Sequence, residues 1–224
     1  MSTILAGALT ARAAFILQDT SFVRWTSEEH LLWLNDGQRE IVLYKPDAYI
    51  KTVPFALAAG SKQTLPADAV SLIDIPRNVN GNAVRVVSRQ ILDAHSPGWH
   101  ALPPVSAIKH YMYNPLDPKV FYVYPPAAVT PNPVKVDLVY AGLPADVTEA
   151  DPILIEDIYA TALVNYILYR AYSKDAEYAA NAALSQGYYQ QFMSLIGVKT
   201  TAESVTAPAQ ALGGFNPSVP ATQK

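Results

Sequence analysis

The sequence predicts an α+β protein: a helical bundle from N- and C-terminal helices with a β-rich insertion domain and an extended C-terminal tail. Two changes of pattern carry most of this reading. A helix with a marked start opens after Trp25 and repeats its apolar residues at helical spacing, whereas from Tyr49 to Tyr140 short apolar runs alternate with turn residues. A third observation is the loss of charge from Val198 onward, where only Lys199, Glu203 and Lys224 are charged. The boundaries that follow are 1–47 for the N-terminal helices, 48–145 for the β-rich insertion, 146–197 for the C-terminal helices and 198–224 for a flexible or docking tail.

Residues 3–18 read as a first helix with Ile4, Leu5, Ala8, Leu9, Phe15 and Ile16 on one side and Arg12 among them. Thr26 followed by Glu29 fits a capping box, in which hydroxyl and carboxylate satisfy amides at the helix start. Leu31, Leu34, Ile41 and Val42, with Trp33 beside them, give the stripe of a helix from Ser27 to about Tyr44, and Pro46 stops it. Strand-like runs follow at 49–57, 70–78, 83–87, 108–113, 120–124 and 134–140, with a short helix at 88–94. Ala59-Gly60-Ser61, Asn80-Gly81-Asn82 and residues 125–133 read as turns or loops. Asp151 and Pro152 read as the N-cap and first position of a helix running to about Tyr172. Asp175 starts another, lasting to about Ile196. In it Ala176, Ala179, Ala180, Ala182 and Ala183 suit close approach to a neighbour, while Tyr159, Tyr166, Tyr169 and Tyr172 supply bulk for cores and interfaces.

Composition narrows the function. The chain has 224 residues, enough for one or two domains with a sizeable core. Charged residues make up only 16%, against about 25% in an average soluble domain, so much of the surface is expected to be covered by partners. Net charge is −3 and the 16 Lys and Arg residues are scattered, which argues against a groove gripping nucleic-acid backbone. Cys is absent, which excludes disulfides, thiolate metal sites and a cysteine nucleophile. The apolar N-terminus lacks a basic region, so no secretory signal is expected. The longest charge-free apolar helix stretch, from Ile158 to Tyr169, falls short of the roughly 20 residues that span a membrane. A soluble protein with no membrane partner is therefore expected.

No catalytic constellation emerges. Gly60-Ser61-Lys62 lacks the glycine spacing of a phosphate loop and reads as a turn. Ser106 and Lys109 match a Ser-x-x-Lys spacing without its companion motifs. Asp93, His95, His100 and His110 with Trp99 fit no metal-ligand spacing and read as surface or interface residues. Asp146, Glu149, Asp151, Glu156 and Asp157 are dense but lack a calcium-loop ladder, and the last three read as complements to the positive end of the next helix. No catalytic residue, metal or cofactor is assigned. One candidate docking element stands out in the tail. Gly213-Gly214-Phe215-Asn216-Pro217 sets one large aromatic in a proline-bounded, low-charge segment, which suits an anchor for a neighbour's pocket.

Three blocks, in order, resemble one family: Trp25 to Ile41, His110 to Pro126 and Asp157 to Tyr178. They resemble the head-to-tail adaptor (connector) proteins of tailed bacteriophages, especially the short-tailed type, over most of residues 1–197. The resemblance implies a structural virion protein rather than an enzyme, made in the host bacterial cytoplasm. It further implies a self-assembled ring, a dodecamer on the portal protein, continuous with a tail or nozzle protein. DNA would pass through the lumen without specific binding, and a mildly acidic lumen would keep its phosphates from sticking. Two other readings compete: a different tail or baseplate subunit, and a cell-wall glycan hydrolase. The latter needs paired carboxylates across a cleft, for which Glu156 and Asp157 are the residues to test.

Overall fold

A computed structural model describes residues 2–206, with side chains through Gly197. Among them are five α-helices, α1 (Ala6–Ile16), α2 (Ser27–Tyr44), α3 (Arg89–His95), α4 (Ala160–Lys174) and α5 (Ala179–Thr206). Seven strands lie between α2 and α4: β1 (Ile50–Ala56), β2 (Gly60–Thr64), β3 (Ala69–Asp74), β4 (Arg85–Val86), β5 (His110–Tyr113), β6 (Val120–Ala127) and β7 (Lys135–Gly142). The fold is α+β, with two cores.

The first core belongs to the helices. Leu9 and Ala13 of α1, Leu34 and Ile41 of α2, Leu163 and Ile167 of α4, and Phe192 of α5 are buried together. Gly37 sets the α2–α4 distance, since a Cβ there would stand 3.0 Å from Tyr166 and 3.1 Å from Leu163. The face of α2 also buries two amides. Asn35 Nδ2 donates to the Val147 carbonyl at 3.2 Å while its Oδ1 accepts the Val147 N–H at 3.1 Å, and Gln38 Oε1 accepts the Leu154 N–H at 2.7 Å. An extended chain segment is thereby held against the helix with its backbone satisfied.

The second core lies between two sheets, one in the order β1-β7-β3 and one in the order β2-β6-β5-β4. All pairs are antiparallel except β4 with β5. Alternation does the sorting: Val136, Leu138 and Tyr140 of β7 meet Phe121 and Val123 of β6 and Tyr111 of β5. Pro54 sits in β1, an edge strand, where its missing N–H costs no ladder bond. Buried Asn78 ties the layers, donating to the Ile108 carbonyl at 2.8 Å and accepting the Ile108 N–H at 3.0 Å.

Several sequence expectations are corrected. Gly60 and Ser61 belong to β2 rather than to a turn, because Gly60, at φ +94°, opens a strand that pairs with β6. Asp151 does not cap a helix. Its carboxylate accepts the Thr148 N–H at 2.9 Å and hydroxyl at 2.7 Å, and its carbonyl accepts the Ala6 N–H at 2.9 Å. Pro152 bridges to Leu5 in extended conformation, so α4 waits until Ala160, behind a 3₁₀ turn at Asp157–Tyr159. The first helix buries a face rotated from the one expected: Leu9 is buried as expected, but Ala6, Thr10, Ala13 and Ala14 face inward with it, while Ala8, Phe15 and Ile16 are exposed. Gly7 fits this choice, since a Cβ there would stand 3.0 Å from the Glu149 carbonyl.

In α5 the alanines at 179, 180 and 183 are exposed, and the buried stripe is Ser185, Phe192 and Ile196. Aromatic pairs make the α4–α5 contact: Tyr166 with Phe192 at 5.0 Å, Tyr169 with Tyr189 at 4.8 Å, and Tyr172 stacked on Tyr188 at 5.7 Å. α5 also runs on to Thr206, past the expected end at Ile196.

Candidate interaction surface

The Thr26–Glu29 capping box is present, with the Glu29 N–H on the Thr26 hydroxyl at 3.2 Å and the Thr26 N–H on the Glu29 carboxylate at 3.1 Å. Lys174 of α4 donates to the same carboxylate and, with the cap, holds Glu29 below its ordinary pKa. The cap therefore also fastens α2 to the end of α4. Phe215, Asn216 and Pro217 lie outside the described residues.

The polar residues singled out in the sequence are drawn into structural work. Asp157 accepts hydrogen bonds from the Ser2 hydroxyl and from the Thr3 N–H and hydroxyl, and these hold its pKa down. This fastens the N-terminal segment to the start of the α4 region. Asp146 pairs with Arg39. The Asp93–His110 set is only partly assembled. Trp99 is buried, donates its indole N–H to Asp93 at 2.8 Å and stacks on His100 at 3.7 Å, with Tyr122 and Tyr124 against its edges. His100 Nδ1 lies 2.7 Å from the Ser61 hydroxyl. His95 instead contacts the Ile91 carbonyl of its own helix, and His110 stacks on Tyr124. This cluster seats the 88–101 segment on the outer face of β6. Among the described residues, no three His, Asp or Glu side chains are placed to hold a metal ion.

The remaining feature is apolar and faces outward. On α1, Ala11, Arg12, Phe15 and Ile16 form an open surface patch. Between α2 and α4, an open groove of about 480 Å³ is floored by Val42, Leu43, Val70, Leu143 and Tyr166 and rimmed by Asp36, Arg39, Glu40 and Arg170. Leu43 is 71% exposed, while Tyr166 is buried in the helical core, which raises its pKa. A further open groove, of about 590 Å³, runs between the β4–α3 junction and the β5–β6 hairpin, near the 92%-exposed Leu116. Sequence periodicity located the helices but not these surfaces, because the residues of each groove come from separate elements.

Outward apolar side chains on a low-charge chain mark contact surfaces. Comparison with known families gives them a context, since a family model described as SU10 adaptor protein matches residues 4–212. The chain belongs to the SU10 adaptor protein family. Its membership makes it a phage adaptor, a structural class of protein, and agrees with the resemblance read from the three sequence blocks. The match takes in the helical bundle and both sheets, and extends beyond the 1–197 span of that resemblance to residue 212. No curated protein matches the chain. No helix among the described residues of this adaptor is long and apolar enough to cross a membrane.

Proposed function

We propose that this adaptor is a head-to-tail connector: a ring subunit that joins the portal to the tail or nozzle and leaves a channel for DNA. The family match across both the helical and the β-rich parts carries this reading. The outward apolar patches support it, because a subunit of a closed ring covers such surfaces with its neighbours. The working role is mechanical. Rigid subunits transmit the symmetry of one ring to the next, with a twelve-fold ring on the portal as the expected form. The net charge of −3 suits a lumen through which phosphates pass without adhering.

The purified chain is expected to be a monomer or small oligomer and to close into rings only on the portal template, since its sequence offers no long coiled-coil heptad pattern to drive self-association. Negative-stain electron microscopy of the protein alone and mixed with portal rings tests this. Rings capping the portal are expected. Stable closed rings at micromolar concentration without portal would contradict templated assembly, and bare portals would contradict the connector role.

A further inference from the structure

We infer that the ring is built head to tail, the α1 patch of one subunit seating in the α2–α4 groove of the next, so that Arg12 meets Glu40. The inference rests on the ring reading above and names the surfaces that would make it.

A closed ring from one kind of subunit needs two different, mutually complementary surfaces on separate sides of the chain. The structure supplies such a pair. On α1, Ala11 and Phe15 project from the face opposite the buried row of Leu9 and Ala13, with half-exposed Ile16 at the edge of that patch. On α2, Asn35 and Gln38 face the 147–155 segment, which pairs with residues 4–7 at the foot of α1. Gly37 meets Tyr166 of α4 on the other flank. The α1 patch and the Tyr166 groove share no residue and are built on different elements, α1 for the first and α2 with α4 for the second. One is a convex aromatic and aliphatic knob, the other a concave apolar floor. That arrangement does not favour a two-fold contact, which brings one surface against itself.

Charge sets the register. Arg12 stands within the knob, and Arg12 and Glu40 join no ion pair among the described residues. Asp36 in the groove is already shared by Arg39 and Arg170 at 3.2 and 4.0 Å, and Arg39 also holds Asp146. Glu40 is therefore the rim carboxylate left to receive an incoming cation. With both partners desolvated at the contact, the pair would gain strength that it lacks on an open surface.

The absence of Cys gives a clean test. Full-length chains carrying Ala11→Cys and Leu143→Cys together are mixed with portal rings and treated with a short bismaleimide. A ladder of linked subunits is expected, and none from an Ala11→Cys, Ala94→Cys control. In parallel, Arg12→Glu and Glu40→Arg should each raise the protein concentration needed for ring formation by about tenfold or more, and the double exchange should restore it. Thermal melts check that the changes at exposed Arg12 and half-buried Glu40 leave the fold intact. Normal rings without the ladder, or with both charge reversals silent, overturn this interface and leave the connector reading standing. If the wild-type chain forms no ring on the portal, the connector reading itself falls, and this interface with it.

Discussion

Thr26 and Glu29 were legible in the sequence because a cap is a local device: both partners lie within one helical turn. Thr26→Ala is expected to cost about 1 kcal/mol, and Trp33→Ala, which empties a nearly buried site, roughly 3–5 kcal/mol. Thermal melts of the two variants check the contrast, and equal, negligible shifts would contradict it. Asn35 and Gln38 were not legible, because their partners Val147 and Leu154 lie 112 and 116 residues away. The same distance effect hides His30, which is buried with Phe22 at 5.4 Å and Trp33 at 5.6 Å. Burial lowers its pKa, against smaller raising influences from the Thr10 backbone, Asp19 and Glu29. In the unfolded chain the imidazole titrates near 6.5. Between the folded value and that one the unfolded state binds more protons, so stability is held above about pH 6.5 and lost as pH falls. Going from about pH 7.5 to about pH 5 should therefore lower the melting temperature of the wild type more than that of His30→Leu. Parallel losses in the two proteins would remove His30 as the cause.

Among the elements, α2, α4 and α5 were readable as helices from their own sequence, though not the start of α4 or the packing face of α5, whereas β2 was not. β2 is a Gly60-Ser61-Lys62-Gln63-Thr64 segment with no apolar alternation, and it is a strand because β6 offers it a partner edge. Gln63 completes it, donating to the Ala58 carbonyl at 2.8 Å and accepting the Ala58 N–H at 2.7 Å. Asp151-Pro152 carried a strong local helix-start signal that lost to tertiary pairing with the N-terminal residues. In α5 the run of alanines drew attention to the wrong face, since the contact is made by Tyr188, Tyr189 and Phe192, beyond the last of those alanines. Phe192 is fully buried and touches the Tyr166 and Tyr189 rings. Phe192→Ala should cost about 3–5 kcal/mol and release α5 before the rest of the bundle. Limited proteolysis would then cut first around residues 175–190, with the β-sheet core still intact. Unchanged protease resistance would mean that α5 is held by other contacts.

At the scale of the whole molecule, attachment is expected to depend on chain that lies beyond the helices. α5 runs to Thr206, so a truncation meant to probe the tail should begin at residue 207, where α5 stays whole, rather than at 198. The eighteen residues from 207 to 224 carry a single charge, Lys224, and one large aromatic, Phe215, next to Asn216 and Pro217. At about 3.3 Å per residue their contour is at most about 60 Å, enough to reach a neighbouring ring. A terminus with no partner is usually richer in charge, and a lone large aromatic in a low-charge segment suits an anchor for a neighbour's pocket. Deleting residues 207–224 should therefore leave a folded subunit that docks weakly on the portal. Phe215→Ala should reproduce part of the loss, about 1–2 kcal/mol or roughly 5- to 30-fold in affinity. Cosedimentation of each variant with portal rings measures the effect, and melting temperatures equal to wild type would separate lost docking from lost folding. If the truncated chain binds as tightly as the full-length one, docking rests entirely on the folded body and the tail has no part in it.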